Sequence, residues 1–231
     1  MLAPRKTLWS TPSQVQDVLV SWISLEVGDV VCDVGCGDGR ILLRWAQHVC
    51  DTMKDKTALA TRTTSSKLPI ENGSSLSLSP GSLPASSLIR FVGIEIDEER
   101  TKLAQSNVVE ARKDGRLIDS VVQTEIRCSN ALDLEALQDI YEDATVFFLY
   151  LIPRGLRLLK PILLECIRNR RNREGAQTQE QGTGGKEHER RRKVRVVTYM
   201  SPLPDETPIE KRVCTVDHQP GAAWPMYLYE F

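Results

Sequence analysis

The chain has 231 residues, of which 41% are hydrophobic and 26% charged, with a formal net charge of −1. That composition suits one globular core and exerts no overall electrostatic pull toward nucleic acid or membranes. No apolar run approaches the roughly 18 residues of a spanning helix. The first ten residues lack the apolar centre of a secretory signal. The six cysteines form no C-x-x-C pair and the three histidines are scattered, so no metal site is expected. These features predict a reducing, cytoplasmic setting, with a mitochondrial one as the alternative.

Thr11-Pro12-Ser13-Gln14 reads as a helix opening, with Thr11 as N-cap, Pro12 at the first helical position and Gln14 closing a capping box. Val15, Val18, Leu19, Trp22 and Ile23 then mark one apolar helical face. Gly28-Asp29 turns the chain into an apolar strand, Val30 to Val34, which runs into three glycines at alternate positions, Gly35, Gly37 and Gly39. Asp38 caps the next amphipathic helix, which carries Ile41, Leu42, Trp45, Ala46 and Val49. A strand, a turn without side chains and a helix start form a natural seat for a nucleotide-type cofactor. Arg40 stands where a dinucleotide loop of G-x-G-x-x-G type needs its third glycine, and no G-K-[ST] of a Walker loop follows.

Residues 51–88 are rich in Ser and Thr, lack helical periodicity and are expected to form a disordered insertion. Phe91 to Ile96 resumes as a strand, Asp97 caps a helix to about Lys113, Val121 to Arg127 is a third strand, and Asp133 begins a short helix. Ala144 to Leu151 is a fourth, very apolar strand, as expected where both sheet faces are covered. The helical pattern after it is expected to break at Pro161 into a short turn and a helix ending near Arg168. A second polar stretch, 169–192, reads as another disordered loop. Its flanking arginines (Arg168, Arg170, Arg171 and Arg173, then Arg190, Arg191 and Arg192) are interleaved with glutamates and lack an aromatic platform, so they read as a solvated loop rather than a nucleic-acid signal. Strands at Lys193 to Met200, Ile209 to Asp217 and Pro225 to Phe231 follow. Cys32, Cys128 and Cys214, each within an expected strand, read as small hydrophobes. The alternation predicts an α/β, Rossmann-like, doubly wound and mostly parallel sheet, with its ligand at the carboxyl ends of the strands.

The run Val30 to Arg40, with Asp33 as the acidic residue before Gly35-Cys36-Gly37-Asp38-Gly39, resembles motif I of class I S-adenosylmethionine (SAM)-dependent methyltransferases. The resemblance implies a seven-stranded sheet with an antiparallel carboxyl-terminal edge, one domain over residues 1–231, and SAM as cofactor. It also implies an acid at the end of the second strand for the ribose hydroxyls. Glu95 lies 56 residues beyond Gly39, and taking out the 38 residues 51–88 leaves 18, near the spacing of about 20 found in nucleotide folds. Ile96, Asn130 and Ala131 stand where the cofactor's adenosine is held, and Tyr150, ending the fourth strand, stands beside the methyl group as the candidate catalytic side chain. Asp33, Gly35, Cys36, Gly37, Gly39, Glu95, Ile96, Asn130, Ala131 and Tyr150 form the expected cofactor set.

The match is closest to the small ATP synthase c-subunit lysine methyltransferase family and its microbial relatives. It covers residues 8–50, 89–165 and, loosely, 194–231, with Tyr150-Leu-Ile-Pro153 and Leu156 to Leu163 among the shared features. It implies methyl transfer to a protein lysine, and hence a protein substrate as partner. An RNA or small-molecule methyltransferase and a non-catalytic SAM-binding partner protein are the alternatives. Two departures matter. Pro202, Pro204 and Pro208 leave no room for a helix between the fifth and sixth strands, and no N-P-P-Y motif follows the fourth.

Overall fold

The computed structural model describes residues 11–64, 88–180, 193–216 and 221–231. Seven strands, β1 (Val30–Val34), β2 (Ile89–Glu95), β3 (Val122–Cys128), β4 (Val146–Leu149), β5 (Arg195–Tyr199), β6 (Glu210–Cys214) and β7 (Trp224–Glu230), form one sheet in the order β3-β2-β1-β4-β5-β7-β6. The first five are parallel, and β7 runs antiparallel between β5 and β6. The expected Rossmann-like sheet with an antiparallel edge is therefore the observed one. No helix separates β5 from β6, as the three prolines require.

Two apolar layers cover the sheet. α1 (Ser13–Trp22), α2 (Arg40–Thr64) and α3 (Glu98–Lys113) pack on one face through Leu19, Leu42, Trp45 and Ala104. α4 (Leu134–Asp143) and α5 (Pro153–Glu180) pack on the other through Leu137, Tyr141, Leu156 and Leu163. The central strands β1 and β4 are buried along their whole length, whereas the edge strand β3 alternates buried with more exposed residues. At the amino-terminal edge, buried Asp29 accepts hydrogen bonds from Thr145 Oγ1 (2.7 Å), the Glu26 N–H (2.8 Å) and Arg195 (2.9 Å). One carboxylate thus joins the starts of β1, β4 and β5. Asp97 and Asp133 cap α3 and α4 through the N–H groups of Arg100 and Ala136. Among the described residues no helix is long and apolar enough to cross a membrane.

Several local expectations need correction. Pro12 is extended (ψ 149°) and is itself the N-cap of α1, which has no side-chain cap; Thr11 is instead buried, and only its carbonyl reaches forward, to Gln16 Nε2. Pro161 does not divide α5. Pro161 and Arg157, whose carbonyl loses its partner there, are both exposed, so solvent can satisfy that carbonyl while Leu156, Leu159 and Leu163 hold the inner face. Both insertions begin later than their composition suggests. Residues 51–64 continue α2 and 169–180 continue α5, because extending an existing helix needs no new nucleus. The remainders, 65–87 and 181–192, lie outside the described residues. Cys128 is exposed at the end of β3, whereas Cys32 and Cys214 are buried.

Candidate functional site

Strand order reverses at β1, which lies between β2 and β4, so the carboxyl ends of β1 and β4 flank a crevice where such sheets bind ligands. The glycine loop closes that crevice from below. Gly35, Gly37 and Gly39 all have left-handed backbones (φ 80°, 59° and 77°). The N–H groups of Gly35 and Cys36 donate to the Ile94 carbonyl at 2.8 and 3.0 Å, seating the loop on the end of β2. At Gly39 a Cβ would stand 3.3 Å from the Ala104 Cβ, so this glycine also lets α2 approach α3.

Glu95 holds the loop in shape. Its Oε2 accepts the Gly37 N–H at 2.9 Å, and its Oε1 accepts the N–H groups of Ile96 (2.9 Å) and Asp97 (3.0 Å). The side chain is buried, and three donors occupy three of its roughly four lone-pair sites. Asp33, the last polar side chain of β1, is 3% exposed, and its Oδ2 has no hydrogen-bond partner. Burial, reinforced by the negative charges of Glu95 and Asp38, pushes its carboxyl up to about 8. Burial also works against ionised Asp38, but the bidentate Arg40 guanidinium outweighs it and holds that carboxyl below its usual range. Burial and the charges of Asp33 and Glu95 drive the Cys36 thiol far up, so it is a packing group rather than a nucleophile.

The resulting cleft, open to solvent, brings together Asp33, Gly35, Cys36, Gly37 and Tyr150 of the expected set, with Glu95 bonded beneath. Tyr150 is part-exposed, and its ring packs on buried Tyr199 (centroids 4.6 Å apart), which in turn stacks on Trp224. Other expected residues are placed differently. Gly39 serves helix packing at the loop's far end. Ile96 stands 64% exposed beside Glu95. Asn130 is exposed, and its Oδ1 accepts the Leu132 N–H in a turn; the Ala131 carbonyl accepts the Tyr141 hydroxyl. Thr11, Asp38, Arg40, Ile41 and Phe148 also line the cleft, outside the expected cofactor set. Asp38 and Arg40 were signalled by their position next to the glycines, Phe148 by the end of the fourth strand, and Thr11 by its place before the first helix, where the fold family often lids its cofactor.

No family model and no curated protein matches the chain. Solved structures do. An RNA methyltransferase from Salinibacter ruber, in complex with S-adenosyl-L-homocysteine, superposes with a TM-score of 0.55 at 22% identity, over 96% of this chain and 92% of that one. An rRNA methyltransferase from Streptomyces viridochromogenes (TM-score 0.49, 11% identity, 99% and 88% coverage) is more distant. So is the C-terminal domain of precorrin-6Y C5,15-methyltransferase from Rhodobacter capsulatus (0.42, 12%, 96% and 91%). The first of these likenesses defines the class of fold: the chain has the Rossmann-like architecture of a SAM-dependent methyltransferase.

Proposed function

We propose that residues 1–231 form a single SAM-dependent methyltransferase domain. The observation that carries this reading is the left-handed glycine loop clamped by Glu95 beside the unpartnered Asp33 oxygen, at the point where strand order reverses. A bare backbone admits the cofactor closely, and a buried carboxyl with a free oxygen suits a ligand bearing positive charge. Asp33, Gly35, Cys36, Gly37, Gly39, Glu95, Ile96, Asn130, Ala131 and Tyr150 would hold SAM. When bound, SAM supplies a methyl group on a cationic sulfur, open to in-line displacement by a nucleophile.

The chain's own work is then alignment and exclusion of water. Glu95 fixes the loop, Phe148 and Tyr150 wall the cleft, and the Tyr150 hydroxyl, kept protonated by burial, is free to orient an acceptor. A protein lysine is the acceptor that the sequence resemblance implies, with an apolar wall favouring the neutral amine. An RNA acceptor is the second reading, favoured by exposed arginines on α5 that have no partner among the described residues.

Two measurements test the proposal. Calorimetric titration with SAM should show saturable binding, and Gly37→Val, which puts a branched side chain at φ 59°, should weaken it about tenfold. Unchanged binding by this variant would overturn the cofactor assignment. Transfer of labelled methyl into cell extract, fractionated into protein, RNA and small molecules, then identifies the acceptor. Label in RNA alone would exclude lysine, and SAM binding without any transfer would favour a non-catalytic SAM-binding protein.

A further inference from the structure

α5 leaves the carboxyl edge of the sheet three residues after Tyr150 and carries an uneven set of cations. Three of them have partners within the fold. Lys160 pairs with Glu206, Arg170 donates to the carbonyls of Asp143 and Ala144, and Arg173 pairs with Glu142. Arg154, Arg157, Arg168 and Arg171 are exposed, and none of them has an ion pair or hydrogen bond among the described residues. At 3.6 residues per turn these four lie within about 100° of one another, on a single stripe roughly 25 Å long. Glu165 is the only carboxylate among the described side chains of α5.

The upper end of the stripe runs against helix electrostatics. The first turns of α3 and α4 hold Glu98, Glu99 and Glu135, as the positive helix end prefers, whereas α5 has no acid there and places Arg154 in its first turn. A cation there adds to the positive potential of the helix's amino-terminal end instead of cancelling it. Ile152 and Leu158, 40% and 41% exposed, give the stripe an apolar margin.

We infer that the solvent face of α5 is an RNA-binding surface, on which Arg154, Arg157, Arg168 and Arg171 track a phosphate backbone and deliver a nucleotide to the cleft beside Tyr150. The inference rests on the methyltransferase reading for the cleft's chemistry and names its acceptor. Planar guanidinium forks match phosphate oxygens, and two pairs of exposed arginines about 16 Å apart along one helix face suit an extended polyanion. Once 169–173 is seen to be helical, Arg171 stops being part of a loop cluster and falls into line with Arg154, Arg157 and Arg168.

The test is fluorescence anisotropy of a labelled single-stranded RNA of about 20 nucleotides, with the full chain and no cofactor, at salt from roughly 50 to 200 mM. Four phosphate contacts predict a slope of log affinity against log salt of about −3, at about −0.7 per contact. Replacing all four arginines by glutamine should cut affinity at least tenfold and bring the slope close to zero. The half variants R154Q/R157Q and R168Q/R171Q should each lose about threefold, and they carry the test if the quadruple variant does not fold. R44Q and R116Q, at arginines paired with Asp17 and Asp114, should change nothing. Undiminished RNA binding by the half variants would overturn the inference, and so would tighter binding of polyglutamate than of RNA, which would mark an acidic protein partner. SAM titration of the same proteins separates the two ideas: absence of SAM binding by the parent chain would sink the methyltransferase reading while the RNA result stands.

Discussion

Glu95→Ala is expected to weaken SAM binding by more than tenfold and to lower unfolding stability by about 2–4 kcal/mol. The effect exceeds that of an ordinary surface acid because one carboxylate serves three backbone donors, on Gly37, Ile96 and Asp97. Its removal leaves the Gly37 N–H buried without a partner and leaves the loop tied to β2 only through the Gly35 and Cys36 N–H groups on the Ile94 carbonyl. Glu95→Gln keeps one acceptor oxygen and should recover part of the stability. Calorimetric SAM titration and urea unfolding of both variants measure the two effects. Wild-type stability in Glu95→Ala would mean that the loop holds its shape without the clamp.

Asp33→Asn is expected to change how stability responds to pH. In the unfolded chain the Asp33 carboxyl titrates near its ordinary 3.8, whereas in the folded chain burial, with Glu95 and Asp38 behind it, raises this to about 8. Between those values the folded state holds a proton that the unfolded state has released. Stability therefore falls as pH rises from about 4 to about 8 and levels off above. A shift of about four pH units corresponds to a contribution on the order of 5 kcal/mol. Asparagine has nearly the same shape and cannot ionise, so the variant should match the parent near pH 4 and gain on it steadily up to about pH 8. Urea unfolding across that range measures the difference, and a constant gap would refute the buried titration. The same proton opposes a cationic ligand, so the parent's SAM affinity should strengthen toward pH 8 while the variant's stays level.

The parts of this molecule that local chemistry dictates could be read from its residues. Alternate glycines after an apolar strand gave the loop, and the spacing of Glu95, corrected for an insertion, gave its partner strand. Asp97 and Asp133 announced their helices. What could not be read depends on neighbours distant in sequence. That Glu95 clamps Gly37 follows from a left-handed backbone at Gly37 and the register of β1 on β2. That Asp33 is sealed in follows from layers built by α2 and α3. The helical state of 51–64 and 169–180 was hidden for another reason: these residues have no apolar periodicity of their own, and they extend helices nucleated and packed elsewhere. Pro161 misled in the opposite way, since its cost depends on which side of α5 faces water.

The place of β7 has a consequence for how the molecule is made. Residues 224–230 insert between β5 and β6, so β6 reaches the sheet only through a partner that emerges later from the ribosome. Until then the flank of β5 remains an unpaired edge, open to pairing with other chains. A product that stops anywhere before residue 224 loses two strands rather than one, together with the ring of Trp224 that backs Tyr199 and, through it, Tyr150. Synthesis of residues 224–230 and completion of the cleft wall are in this sense a single event.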